Sequence, residues 1–232
     1  MRERLETVFL DAGGVLVFPN WVRVSDELAR HGVEVSADTL GAADPHAKQK
    51  LDLAQTIHAT TDDSRGWLYF NLVLSHAGIP LTAATDAALK GLQAYHAKHN
   101  VWETVPDDAG PSLDRLRRLG LRIVVVSNAN GTLQDMFGRL GLAERVDVLI
   151  DSHVEGVEKP DPRLFEIALK RSGARAATTV HVGDLYQVDV VGARAAGLRA
   201  VLLDAANLYR DADCPRVRSL PELCDRIERG EL

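Results

Sequence analysis

The chain has 232 residues, 46% apolar and 26% charged, with a formal net charge of −6, a balance that suits a globular protein able to bury a core without disulfide or metal staples. These figures exclude collagen-like and low-complexity disordered chains, and the acidic balance argues against a protein that holds nucleic acid by bulk positive charge. No apolar run approaches the roughly 18 residues needed to span a bilayer, and the opening string MRERLETVFLDAGG lacks the pattern of a signal peptide, so a cytoplasmic protein with neither membrane nor nucleic-acid partners is expected.

The first predicted element is a strand at residues 7–10. From about residue 19 to 105 there is no Val/Ile run, and the apolar spacing predicts helices over 21–31, 45–58, 65–77 and 83–100. Gly32 and Gly78 fit C-terminal glycines, and Pro45 after Asp44 fits a first-turn proline. The pattern then alternates: helix 112–119, strand 122–126, helix 133–140, strand 146–150, helix 162–172, strand 179–182, helix 188–196 and strand 200–203. Short strands alternating with helices read as βαβ units around a parallel sheet. Their continuous apolar runs suit strands covered on both faces. An α/β domain of residues 1–18 and 106–232, interrupted by a helical cap over 19–105, is therefore expected. Cys214 and Cys224, ten residues apart, form neither a disulfide framework nor a metal-type spacing.

Chemistry-bearing residues fall at the predicted strand ends. Asp11 follows Val8-Phe9-Leu10 and precedes Ala12-Gly13-Gly14. A carboxylate there suits a nucleophile or metal ligand, with glycines that admit an anion to the backbone, although it could equally cap a turn. Ser127-Asn128 closes the strand at 122–126 and can donate to a phosphoryl oxygen or cap the next helix. Lys159 lies in the stiff string Glu158-Lys159-Pro160-Asp161-Pro162, which would hold an ammonium in place. Gly183-Asp184 follows the strand at 179–182, and Asp189 lies five residues beyond Asp184. Carboxylates gathered at one strand edge suit Mg²⁺, a hard cation that takes oxygen ligands.

Asp, then Ser-Asn, then Lys, then Gly-Asp with a trailing Asp occur in that order, in the strings FLDAGGVL, LRIVVVSNANG, EKPDPRLFEIAL and VHVGDLYQVDVVGARAAGL. With them the chain resembles the haloacid dehalogenase superfamily of hydrolases, in its phosphatase-like branch with an α-helical C1-type cap. The resemblance implies a doubly wound parallel sheet with the active site at the strand carboxyl ends. It implies Asp11 as nucleophile, forming an aspartyl-phosphate. It implies Ser127, Asn128 and Lys159 as substrate-binding groups, with Ser127 and Lys159 stabilising the transferring phosphoryl oxygens. It implies Mg²⁺ held by Asp11, the Gly13 carbonyl and Asp184, with Asp189 acting through water or by fixing Lys159. The expected substrate is a small phosphorylated metabolite that a cap can enclose. A monomer and a homodimer both stay open.

One position departs from the family pattern. Phosphatases of the superfamily carry a second aspartate two residues after the nucleophile, and Gly13 has no side chain to protonate a leaving group. The expected enzyme is slowed most on alkyl phosphates, since general acid–base catalysis is worth about 10²–10⁴ in rate. His46, His58, His76 or Tyr69 of the cap could supply a proton instead. The alternatives are carbon–phosphorus cleavage through a Schiff base on Lys48 or Lys50, and a catalytically weak module that binds a phosphorylated ligand. Dehalogenation fits less well, because dehalogenases carry tyrosine at the position of Gly13 and need no metal.

Overall fold

A computed structural model describes residues 3–232. It divides into two compact units, one built from the residues up to Phe18 with Val105–Leu232, the other from Pro19–Thr104.

The first unit is a six-stranded parallel sheet. Its strands are β1 (Thr7–Leu10), β4 (Arg122–Ser127), β5 (Val148–Asp151), β6 (Thr179–Gly183), β7 (Arg199–Leu203) and β8 (Arg216–Val217), in the order β5-β4-β1-β6-β7-β8. Val8 pairs with Ile123 on one side and Val180 on the other, so β1 lies at the centre. Every residue of β1 and β6 is buried, which explains their Val, Phe and Leu content, with Thr7, Thr179 and His181 as buried polar exceptions. Phe9, Val124, Val126 and Ile150 pack with Leu164, Phe165, Ala168, Val190 and Ala193. Val8, Leu10, Ile123 and Val125 alternate with them and face the other way, equally buried. The sheet is thus covered on both faces, a doubly wound α/β fold. Parallel strands put all their carboxyl ends on one edge, which is where Asp11, Ser127 and Asp184 fall.

The helices of this unit are α6 (Ala109–Arg118), α7 (Leu133–Arg139), α8 (Ser152–Glu155), α9 (Pro162–Ser172), α10 (Val191–Ala195) and α11 (Leu220–Glu228). Asp161 caps α9 by accepting from the Arg163 N–H at 2.9 Å, with Pro162 at the first position, as its sequence suggests. The helix expected from residue 188 begins earlier, as a π-helical turn over Tyr186–Val190 that runs into α10. Cys214 and Cys224 are both free. No described helix is long and apolar enough to cross a membrane.

The second unit holds α1 (Trp21–Arg30), α2 (Ala37–Leu51), α3 (Ala54–Ala59), α4 (Asp62–His76) and α5 (Ala83–His99) around one apolar cluster that includes Leu28, Leu40, Phe70, Val73 and Leu92. Gly32 and Gly78 follow α1 and α4 at φ 76°, a left-handed conformation that glycine adopts without strain. The helix expected over 45–58 is corrected. Ser36 accepts from the Thr39 N–H at 3.1 Å and starts α2 at Ala37, so Pro45 lies inside that helix. Its missing N–H leaves the Gly41 carbonyl without its usual partner. The chain breaks at Asp52-Leu53 before α3. A second difference is a short ribbon in which β2 (Phe18–Pro19) pairs with β3 (Trp102–Thr104), strands too short for an apolar run to reveal.

Glu103 gathers donors beside that ribbon: Arg23 Nε at 2.8 Å, Tyr95 Oη at 2.9 Å and Asn20 Nδ2 at 3.1 Å. Burial alone would raise its pKa, but these hydrogen bonds outweigh burial and hold it below the usual glutamate value. A lowered folded pKa adds stability above the unfolded pKa of about 4.3, and that stability is lost as pH falls through the folded value. Glu103→Gln should therefore lower the denaturation midpoint at pH 7, and the gap from the unmodified protein should narrow as pH falls below about 4.3. A pH-independent gap in melting curves would show that the carboxylate charge is not what the network uses.

Candidate active site

Asp11 sits just past the central strand, and its N–H continues the ladder to the Val182 carbonyl at 2.9 Å. Its own Oδ1 accepts from the Ala12 N–H at 2.7 Å. The chain then turns back tightly, with the Gly14 N–H donating to the Val17 carbonyl at 2.8 Å. Gly14 makes this possible at φ 76°, whereas Gly13 is not among the glycines with positive φ. Residue 13 is therefore free of the left-handed requirement that favours glycine.

Lys159 is the centre of the site. It is fully buried, and its ammonium lies 3.0 Å from Asp11 Oδ1 and 2.7 Å from Asp189 Oδ1. Burial acts to lower its pKa, but the two carboxylates prevail and raise it, so it stays an ammonium. Asn128 holds the backbone of the same residue. Its Oδ1 accepts from the Lys159 N–H at 2.7 Å and its Nδ2 donates to the Lys159 carbonyl at 3.0 Å. Asn128 thus clamps the Lys159 backbone from both ends of its amide. Ser127 is buried at the end of β4, with its Oγ 3.2 Å from the Asn128 carbonyl.

Asp189 is wholly buried in the π-helical turn. Its Oδ1 also faces His181 Nε2 at 3.0 Å, and its Oδ2 accepts from the Leu185 N–H at 3.1 Å. Burial would raise its pKa, but Lys159 and then His181 outweigh that and hold it well below the usual carboxylate range. Asp11 behaves oppositely: burial raises its pKa, and the Lys159 charge it shares with Asp189 offsets this only in part. Gly183 makes room for the arrangement, since a Cβ there would fall 2.0 Å from Asp189 Cγ.

Two residues that sequence reasoning missed shape the loop after Asn128. Asp151, the last residue of β5, accepts from the Gly131 and His153 N–H groups on Oδ1 at 3.2 and 2.9 Å, and from the Leu133 N–H on Oδ2 at 3.2 Å. Ser152 Oγ accepts from the Ala129 N–H at 3.1 Å. The available signal was an Asp-Ser pair at yet another strand end.

Asp11, Asp184 and Asp189 each offer a carboxylate oxygen within 4.8 Å of the others. One ammonium against three clustered carboxylates leaves excess negative charge, and an oxygen-only donor set of this kind fits a hard divalent cation. Of the positions expected at the metal, Asp11, Asp184 and Asp189 supply the cluster, and the oxygens of Asp189 also meet Lys159, His181 and the Leu185 N–H.

The cap residues raised by the sequence belong to the helical unit. Tyr69 is buried and its hydroxyl lies 2.5 Å from Asp44 Oδ1, while Lys48 pairs with Asp44 at 3.3 Å. The His46 and His76 rings stack with centroids 5.9 Å apart, and His58 and Lys50 are exposed.

A model of the haloacid dehalogenase-like hydrolases matches residues 5–197. The chain belongs to this family. Haloacid dehalogenase-like hydrolase domain-containing protein 3 of Bos taurus is 32% identical over 190 residues, 80% of this chain and 75% of its own length. Ribulose-1,5-bisphosphate 5-phosphatase of Halopiger xanaduensis is 34% identical over 173 residues, 74% of this chain and 64% of its own length. Among solved structures, YfnB of Bacillus subtilis, described as a HAD-hydrolase bound to magnesium, superposes with a TM-score of 0.69 at 18% identity, over 97% of this chain and 99% of that one. That likeness concerns the fold. The haloacid dehalogenase-like core thus carries Asp11, Ser127, Lys159 and Asp184 on one edge of its sheet.

Removing the lysine charge leaves the fully buried Asp189 carboxylate facing the partly buried Asp11 without a cation between them. Lys159→Met should cost about 3–5 kcal/mol, the usual price of breaking a buried ion pair by deleting one partner. Urea denaturation measures it, and a loss below about 1 kcal/mol, the range of an exposed pair, would show that Lys159 does not hold the site together.

Proposed function

We propose that this haloacid dehalogenase-like hydrolase is a Mg²⁺-dependent phosphatase that acts on a small phosphorylated metabolite through an aspartyl-phosphate on Asp11. The observation that carries the reading is the buried Lys159 ammonium at 3.0 Å from Asp11. A carboxylate can approach a phosphate dianion only where fixed positive charge offsets their repulsion. The relative named as a ribulose-1,5-bisphosphate 5-phosphatase supports the substrate class.

Asp11 attacks phosphorus, a new P–O bond forms, and the bond to the leaving oxygen breaks with its electron pair on that oxygen. Ser127 and Lys159 donate to the phosphoryl oxygens as charge shifts between them. Water then attacks the aspartyl-phosphate, releasing inorganic phosphate and restoring Asp11. Asp11, the Gly13 carbonyl and Asp184 would hold Mg²⁺, which supplies charge neutralisation at the phosphoryl group. Asp189 serves by holding Lys159, and Asn128 by fixing its backbone, in place of direct contact with substrate.

Gly13 sets the preference among substrates. With no acid at that position the leaving oxygen departs unprotonated, so aryl and acyl phosphates, whose anions are stable, are favoured over alkyl phosphates. Because Gly13 needs no left-handed conformation, an aspartate there is a direct test. The unmodified protein should hydrolyse p-nitrophenyl phosphate with Mg²⁺, lose the activity in EDTA, and lose it in Asp11→Asn. Gly13→Asp should raise the rate on glycerol phosphate by up to about 10²–10⁴ and on the aryl ester by less. Silence of both the unmodified protein and Gly13→Asp on both esters would sink the proposal.

A further inference from the structure

His181 is a polar residue where the fold calls for an apolar one. It pairs with Phe9 across the central strands, is completely buried, and meets the Phe165 ring edge-to-face with centroids 4.9 Å apart. Its Nδ1 is buried with no hydrogen-bond partner among the described residues. A buried unpaired polar atom costs free energy, and each such atom in a folded protein calls for an explanation.

The other ring nitrogen provides one. Nε2 lies 3.0 Å from Asp189 Oδ1, and an ionised carboxylate only accepts, so the hydrogen is on Nε2 and His181 is the donor. The geometry follows from the strand. Residues 181 and 183 share one face of β6. The Asp189 side chain lies across that face, against the bare Gly183 backbone. The same Oδ1 accepts from Lys159 at 2.7 Å, and Lys159 reaches Asp11 at 3.0 Å. The chain is continuous from His181 through Asp189 and Lys159 to Asp11. With Leu185 N–H on Oδ2, His181 fixes the plane of the carboxylate, and an acceptor held in one plane gives the ammonium one position.

We propose that His181 is a positioning residue, whose donation to Asp189 sets the lysine that faces the nucleophile. This rests on the reading of Asp11 and Lys159 as phosphoryl-transfer groups. It assigns a task to a side chain that touches neither substrate nor metal, and it explains why an imidazole with one idle nitrogen is kept in an apolar layer.

The test uses the full chain and two variants. His181→Leu keeps an apolar bulk and removes the donor. His181→Gln keeps an amide N–H at about the reach of Nε2. With p-nitrophenyl phosphate and Mg²⁺, His181→Leu should lose about 10–100-fold in kcat, the usual effect of removing a supporting partner, with KM little changed. His181→Gln should recover most of that loss although both variants melt at similar temperatures. A purely structural role would lower both variants in step with their folded fraction. Unchanged kcat in His181→Leu, or no recovery in a folded His181→Gln, overturns the proposal.

A second readout does not depend on activity. Lys159 is the buried lysine among the described residues, so in protein labelled with ¹⁵N-lysine its ammonium should give the slowly exchanging signal. That signal should persist in His181→Gln and broaden into exchange with water in His181→Leu. If the unmodified protein hydrolyses no phosphate ester while this pattern appears, the phosphatase reading fails and the positioning role stands. If the signal is the same in all three proteins, the positioning role falls whatever the activity.

Discussion

One buried ammonium shared by two carboxylates holds this molecule's chemistry together. Lys159 and Asp189 are both fully buried and cannot be taken out of water alone, and the partly buried Asp11 shares the same ammonium. The three come from the end of β1, from the loop before α9 and from the π-helical turn after β6. Their meeting ties together parts of the chain that lie far apart in sequence. The remaining supports serve that meeting: the Asn128 clamp on the Lys159 backbone, the Asp161 cap and Pro162 that start α9 beside it, and the bare face of Gly183 that admits the Asp189 side chain.

The electrostatics of the arrangement are deliberately unbalanced. Asp189 accepts from Lys159, His181 and the Leu185 N–H, which hold it ionised below the usual range, while burial pushes Asp11 up against the one Lys159 charge beside it. One ammonium facing three clustered carboxylates leaves room for a divalent cation. Asp184 completes the acidic edge on which that cation would sit. In the proposed mechanism the bare Gly13 would leave charge stabilisation in place and remove proton transfer, so the two contributions could be tested separately.

The core was largely legible because its signals are local. Strands covered on both faces announce themselves as Val/Ile runs, and chemistry at their ends follows from parallel topology. Asp161-Pro162 and the glycines after α1 and α4 are short-range cap signals of the same kind. The misreading at Pro45 came from giving a proline more weight than the Ser36 cap nine residues before it. What stayed hidden was tertiary. The sequence could not show that Asn128 also clamps the Lys159 backbone, or that Asp189, one of three clustered carboxylates, also meets Lys159, His181 and the Leu185 N–H. Asp151 and His181 carry no motif at all, because their partners are backbone groups and buried side chains that only the fold brings near. Gly13 was the reverse case, a departure visible in sequence alone whose consequence needs the site around it.

In the proposed mechanism a carboxylate oxygen of Asp11 receives the phosphoryl group. The most direct measurement mixes the protein with acetyl phosphate and Mg²⁺, quenches in acid within the first turnovers, and maps the modified peptide by mass spectrometry. A phosphoryl group on Asp11, absent from Asp11→Asn and accumulating because Gly13 cannot activate the water that removes it, is the predicted result. Hydrolysis of acetyl phosphate with no phosphoryl group on Asp11, or with the label on another residue, would contradict it.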